Sequence, residues 1–398
     1  MTKRVLIVGA SIAGPALAHW LHRYGFSVTV VERAPRLRPG GQAVDIRGAG
    51  KEVVRRMGLD AQVRAACTDT RGMSYVDEWN RERARMPSDA FGGEGIVAEF
   101  EILRGDLAEV LHEATRQDVE YRFGTTVTSV EQTRDGVVAS FGSGPPEAFD
   151  VLVGADGLHS EVRSLVFGPE SRYLHDLGHR MAFFTVPNRL DLDRWMLIYN
   201  EPHRTAMVRS IRDNAQAMAI LLAPGTGAER DPAAQKALLR SNMRHMRWEV
   251  PWLLEQLDTA PDFYCDSCSQ VRMPTWAAGR VALLGDAAFC SSPLSGQGTS
   301  TALVGAYVLA GELAATEDHS AAFTAYERQV RPLVAANQKT GESNAKHVAA
   351  GSRFAIWAQH QVVRILPHLP GNELLQRKFF GASHDVELPD YDHLLPAA

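Results

Sequence analysis

The stretch "RVLIVGASIAGPALAHWLHRYGFSVTVVER", residues 4–33, decides the fold. Residues 4–8 form a short apolar run of the kind buried in a parallel sheet. Gly9-Ala10-Ser11-Ile12-Ala13-Gly14 follows, then a segment with apolar residues at helical spacing, then a second β-run that ends in Glu32. Strand, tight turn, helix, strand and a late acid is the order that sets a pyrophosphate on a helix N-terminus and an adenosine ribose on a carboxylate. Gly9 makes the tight turn, and Gly14 lets the helix approach the strand. Ser11 stands where the fingerprint has its second glycine; serine is small enough to leave room for backbone approach to a phosphate. Glu32 favours an unphosphorylated ribose, so FAD or NAD over NADP at this position. The competing reading is a structural strand–helix turn followed by a chance acid.

The rest of the chain bounds what such a turn can serve. At 398 residues there is room for two domains with their own cores. A net charge of -5 argues against a nucleic-acid surface. Cys265-x-x-Cys268 lacks a second pair or a histidine at zinc-ligand spacing and reads as two half-buried thiols on a strand, with no metal site expected. The N-terminal apolar run is too short for a signal peptide, and no stretch of about 18 uncharged apolar residues exists to span a membrane. A cytoplasmic location is expected.

FAD and NAD differ in what else must be held, because FAD needs distant segments for its ribityl chain and ring. Two such segments are present. In "FDVLVGADGLHSEVRSLVFG", residues 149–168, an apolar strand reaches Asp156-Gly157 and a helix carrying Ser160 and Arg163 begins just after. In "VALLGDAAFCSSPLSGQGTSTALVGAYVLAGEL", residues 281–313, a strand reaches Asp286, followed by Pro293, a serine–glycine turn and a small-residue helix. Both deliver an Asp to the carboxyl edge of a parallel sheet, where ligands bind. Each residue also has a plainer reading: Asp286 and Asp156 can cap the helices that follow them, and Arg163 can lie on a helix surface.

The three segments, in this order and at these separations, resemble the flavin-dependent aromatic hydroxylases of the para-hydroxybenzoate hydroxylase family, in the branch acting on polyketides and tetracyclines. The resemblance rests on Gly9 to Gly14 with Glu32, on Asp156-Gly157 through Arg163, and on Gly285-Asp286 with Pro293 and Gly296-Gln297-Gly298. It implies an α/β fold: a Rossmann-like FAD-binding domain with a parallel sheet (1–70, 100–170 and 272–345), an inserted antiparallel-sheet substrate domain (71–99 and 171–271), and C-terminal helices (346–398). It implies FAD contacts from Gly9, Ser11, Ile12, Ala13, Gly14, Glu32, Arg33, Arg104 and Asp286. Asp286 would bond a ribityl hydroxyl, Gly296, Gln297 and Gly298 would lie along the flavin pyrimidine edge, and Pro293 would sit under the ring. Asp156 and Gly157 would support FAD and a passing NAD(P)H, and Arg47 would border the flavin. Two positions depart from the pattern: Phe289 where the family often has His, and Gly305 where it often has Asp.

The implied chemistry is a monooxygenation. NAD(P)H reduces FAD, O₂ forms a flavin C4a-hydroperoxide, and one oxygen atom enters an aromatic or polyketide-like small molecule, by hydroxylation. No side-chain triad or acid pair is then needed. The expected state is a monomer or homodimer. The alternatives are a non-catalytic flavin-binding protein that stabilises a pathway intermediate, or another flavin oxidoreductase.

Between the second and third segments, the runs at 181–186, 195–200, 204–211 and 215–222 read as antiparallel strands, with residues 72–85 contributing. Met207, Met218, Phe183, Phe184, Trp195 and Tyr199 on these runs can line an aromatic pocket or fill a core. Asp135-Gly136 marks a hairpin, residues 231–246 and 249–257 read as helices, and the tail from 319 is mainly helical. Arg33, Arg36 and Arg38 form either a solvated loop or a docking place for a nucleotide phosphate.

Overall fold

The computed structural model describes residues 2–88, 100–211, 213–227, 229–348, 350–365 and 387–395. The first part of the chain forms β1 (Arg4–Val8), α1 (Ala13–Arg23), β2 (Ser27–Glu32), β3 (Ala43–Asp45), α2 (Ala49–Arg56) and α3 (Asp60–Ala65). Next come β4 (Gly72–Val76), β5 (Glu82–Pro87), β6 (Glu101–Leu103), α4 (Arg104–Glu113), β7 (Glu120–Phe123), β8 (Val127–Gln132), β9 (Val137–Phe141), β10 (Glu147–Phe149), β11 (Val151–Gly154) and α5 (Glu161–Phe167). The middle adds β12 (Leu174–Pro187), β13 (Trp195–Glu201), β14 (Arg204–Ile211), β15 (Gln216–Pro224), α6 (Pro232–Met243), α7 (Val250–Gln256) and β16 (Tyr264–Val271). The last part holds β17 (Ala277–Ala278), β18 (Val281–Leu283), α8 (Asp286–Phe289), α9 (Gly298–Ala315), α10 (His319–His347) and α11 (Arg353–Ile365).

Two large sheets divide this chain between them. One has the order β17-β18-β11-β1-β2-β7 and is parallel except for its β17 edge. Its central strands are apolar on both faces because helices cover both, and Leu6, Ile7, Val30, Leu152 and Leu283 are fully buried. α1 and α9 pack together on it. Nearly every residue of α9 is buried, as expected of a helix that is apolar all round. The Asp135-Gly136 hairpin forms between β8 and β9.

The other sheet has seven strands in the order β16-β12-β15-β14-β13-β4-β5. Its pairings are antiparallel except that β4 runs parallel to β13. Period-2 alternation gives it two distinct apolar faces. Phe184, Tyr199, Leu197 and Val208 face α6 and α7, whereas Met73, Tyr75, Met196 and Ile198 face Val363 of α11 on the opposite side. Among the described residues no helix is long and apolar enough to cross a membrane.

Candidate cofactor site

The first segment builds a turn with almost no free volume. Gly9 holds φ at +112°, and a Cβ there would sit 2.5 Å from the Ala155 carbonyl oxygen. A side chain at Gly14 would run into the Gly9 carbonyl oxygen, so α1 starts directly against the turn. The Gly9 N–H donates to Val31 O at 2.8 Å. Among the described residues no side chain caps α1 and no acid sits in its first turn, which leaves bare N–H groups and a partial positive charge at its start. Ser11 is partly exposed there, while Ile12 and Ala13 are buried. Glu32 accepts N–H bonds from Ala10 (3.0 Å) and Ala34 (2.9 Å), so it also ties the turn to the end of β2. The cleft above is lined by Gly9, Ser11, Glu32, Arg33, Arg36, Arg38, Arg104, Asp156 and Gly157. Arg33, Arg36 and Arg38 are exposed, and no ion pair joins any of the three to another described residue.

The second segment is more engaged with the protein than the sequence indicates. Asp156 accepts from Ser160 Oγ (2.5 Å) and from the N–H groups of Glu161 (2.7 Å) and Val162 (3.1 Å), so it fastens the start of α5. The capping alternative is therefore realised at Asp156, which nonetheless still borders the cleft. Arg163 is fully buried rather than on a surface. Its guanidinium donates to Leu158 O (2.6 Å) and, across to the third segment, to Ala287 O (2.9 Å). His159, which sequence reasoning passed over, lies between Glu170 (2.9 Å) and Asp266 (3.0 Å). Its pKa is raised, chiefly by the bond to Asp266, against the opposing effect of burial. Only the tertiary pairing with β16 reveals that environment.

The third segment carries the clearest signal. Across residues 281–313, all of them described, only Asp286, Pro293 and Gly296 are exposed, with Gly298 and Glu312 intermediate. Asp286 caps nothing in α8, and the packing around it pushes its pKa up. The side chain is thus crowded by protein yet still reaches solvent. Gly298 lies beside it: a Cβ there would be 3.8 Å from Asp286 Oδ1. Among the described residues no side chain caps α9, and the buried Gln297 Oε1 at its start has no hydrogen-bond partner.

Direct contacts bring the three segments together. Gly285 faces Ala13, with a Cβ position 3.1 Å from that of Ala13. Leu284 N–H donates to Gly154 O (2.9 Å), and Ala155 N–H to Val8 O (2.8 Å). Arg104 stands at the head of α4 within the same cleft. Arg47 is placed differently from a cleft residue: it is buried, and its guanidinium is paired with Asp45 at 2.8 Å. Its backbone N–H donates to Ser300 Oγ (2.9 Å), tying the β3 loop to the first turn of α9. Asp45 lies 4.0 Å from a Cβ position on Gly296. Burial pushes its pKa up to about 6, with Glu101 adding to the rise and Arg47 opposing it. Glu101 in turn is ion-paired with Arg209 of β14, a link between the short β3–β6 ladder and the seven-stranded sheet.

Phe289 and Gly305 prove to be one feature. Phe289 is buried against Trp276, with ring centroids 4.7 Å apart, and a Cβ on Gly305 would sit 3.1 Å from Phe289 Cζ. The missing side chain on α9 makes room for the aromatic ring on α8, and both lie in the core.

The seven-stranded sheet divides the candidate pocket residues between its two faces. Phe183, Met218 and Met207 share the face of Ile220 and Arg209. Phe184, Trp195 and Tyr199 lie on the other face, packed beneath α6 and α7. Alternation along the strand leaves no choice once Phe183 faces inward.

Bare helix ends, a glycine-lined cradle, an orphaned buried amide oxygen and an exposed carboxylate in a buried run form a donor set that suits an extended dinucleotide with a diphosphate and a hydroxylated chain. The comparisons agree. The sequence matches the family described as "FAD binding domain" over residues 2–340, and the chain belongs to it. It is 46% identical over 341 residues to an uncharacterized protein, Rv1260, of Mycobacterium tuberculosis (strain ATCC 25618 / H37Rv), covering 84% of this chain and 92% of that one. It is 37% identical to a flavin-dependent monooxygenase from an unknown prokaryotic organism, covering 98% and 99%. The solved structure of tetracycline destructase Tet(55) superposes with a TM-score of 0.85 at 36% identity, covering 98% of this chain and 99% of that one. The protein is an FAD-dependent monooxygenase.

Proposed function

We propose that the protein uses NAD(P)H and O₂ to insert one oxygen atom, by hydroxylation, into a planar aromatic or polyketide-like small molecule in the cytoplasm. The observation that carries this reading is the exposure of Asp286, Pro293 and Gly296 within a buried segment. The neighbour named a tetracycline destructase, which covers nearly all of both chains, supports a polycyclic substrate. In this reading residues 1–70, 100–170 and 272–345 hold the cofactor, 71–99 and 171–271 cover the substrate, and 346–398 form a C-terminal helical segment; within these ranges 89–99, 366–386 and 396–398 lie outside the described residues.

Bound FAD supplies the redox chemistry, accepting electrons from NAD(P)H and activating O₂. The side chains and backbone of this chain bind and orient it. The start of α1, with Gly9, Ser11, Ile12, Ala13 and Gly14, takes the diphosphate, and Arg104 neutralises it. Glu32 takes the adenosine ribose, and Asp286 takes a ribityl hydroxyl. The open N-terminus of α9, with Gly296, Gln297 and Gly298, presents its dipole to the pyrimidine edge, where negative charge grows on reduction. The exposed Pro293 would border the bound flavin. Arg47 acts through Asp45 and Ser300 to fix the loop beside α9. Asp156 with Gly157 shapes the rim of the cleft, while Arg33 supplies positive charge for a nucleotide. Phe183, Met207, Met218 and Ile220 would wall the substrate side and keep water out of it.

The test is direct. Purified protein should show flavin absorption, oxidise NAD(P)H faster in the presence of polycyclic phenols, and yield a product heavier by one oxygen atom. Asp286→Ala should lose stoichiometric FAD in a titration of the apoprotein. Retention of full flavin affinity by that variant would remove Asp286 from the site.

A further inference from the structure

The turn that carries Pro293 and Gly296 has a second side. Ser292, just before the proline, holds φ 76° and ψ 144°, a region populated almost entirely by glycine and costly for any other residue. Such a conformation persists only where the surroundings impose it. Here α10 supplies the constraint with a stripe at i, i+4 and i+7. Asn337 Nδ2 donates to Thr301 Oγ1 (2.8 Å), whose hydroxyl donates to Gln297 O (2.8 Å). A side chain at Gly341 would strike the Ser291 carbonyl oxygen, and Asn344 Nδ2 donates to Leu294 O (2.8 Å). From β16, the fully buried Gln270 donates to Ser291 O (3.4 Å) and to Gln338 O of α10 (2.7 Å). The back of the turn is thus held by amide groups while its front, Pro293 and Gly296, stays open.

We infer that this amide stripe on α10 is a clamp that holds the turn in its strained shape against the flavin edge, with Asn344 as the principal positioning residue. This rests on the reading that Pro293 and Gly296 face FAD. Without the clamp the Ser292 backbone relaxes, the turn shifts, and the flavin sits less precisely over the substrate wall.

The experiment compares Asn344→Leu, Ser292→Gly and the double variant with the wild type, using FAD titration of the apoproteins, visible circular dichroism of the bound flavin, and peroxide released per NAD(P)H oxidised. Asn344→Leu should weaken FAD about five-fold, the effect of one lost hydrogen bond with its acceptor left unpaired. It should also alter the flavin dichroism and raise the peroxide fraction. Ser292→Gly, which adopts the same φ without strain, should restore dichroism and coupling in the double variant. Wild-type affinity, dichroism and coupling in Asn344→Leu would overturn the clamp, as would a lowered melting temperature with unchanged dichroism or a defect that Ser292→Gly does not relieve. Asp286→Ala, measured alongside, separates the two claims. If that variant loses FAD while Asn344→Leu is silent, only the clamp fails; if both are silent, the placement of the flavin fails with it.

Discussion

α9 and α6 begin in opposite ways. α6 starts at Asp231, whose carboxylate accepts the Ala234 N–H at 3.0 Å, and a proline fills its first turn. α10 likewise starts at Asp318, which accepts from Ser320. α9, with 18 residues and more buried than either, starts with no side-chain cap among the described residues, and α1 does the same. Caps satisfy N–H groups that would otherwise be orphaned. α2, α3, α4 and α7 also begin without a side-chain cap among the described residues. In α1 and α9 the glycine at the start keeps the approach to the free N–H groups clear.

The comparison is broken most forcefully by closing α9. Gly298→Asp places a carboxylate at the first residue of α9, directly after its N-cap residue Gln297, within a few ångströms of Asp286. FAD affinity should fall by about 100-fold or more, equivalent to ~3 kcal/mol, in a fluorescence titration of the apoprotein, while the fold persists. A variant with wild-type affinity would show that this end of α9 does not meet the cofactor. The converse change, Asp231→Ala, removes a working cap. It should cost about 1 kcal/mol and about 2 °C in melting temperature, with FAD affinity untouched; a change in flavin binding would contradict the division of roles.

The smallest effect concerns α5, a capped helix on the rim. His159 lies just before Ser160, held by Asp266 and Glu170. Its folded pKa lies above the ordinary 6.5, so the bonds of its charged form contribute fully below that value and fade as pH rises through the raised folded pKa. Relative to His159→Gln, the wild type should lose about 1 °C of melting temperature as pH rises through that window. Parallel pH profiles for the two proteins would dismiss the pairing as a source of stability.

Much of this was legible in the sequence because it is local. Gly9, Gly14 and Glu32 encode their turn within one contiguous stretch, Asp135-Gly136 encodes its hairpin, and the strands of the large sheet show as alternating runs. The faces of those strands were not legible. Phe183 and Phe184 are adjacent and chemically alike, and only the position of α6 and α7 puts Phe184 beneath those helices and Phe183 on the opposite face with Leu103, Ile211 and Met218. Arg163 resembles any helical arginine until the fold brings Ala287 to it, and Arg47 resembles a cleft residue until Asp45 takes its charge.

By itself the sequence determined the three strand-borne segments, their order and the residue types a dinucleotide needs, because turns, helix starts and strand periodicity depend on neighbours a few residues apart. Only the tertiary structure decided that Ala13 meets Gly285 and Arg163 reaches Ala287, that Asp156 is spent on α5 while Asp286 is kept open, and that α10 grips the back of a turn 50 residues away in sequence. Those outcomes depend on which buried groups find partners across the core, and the pairing of distant polar groups is settled by packing rather than by any local preference.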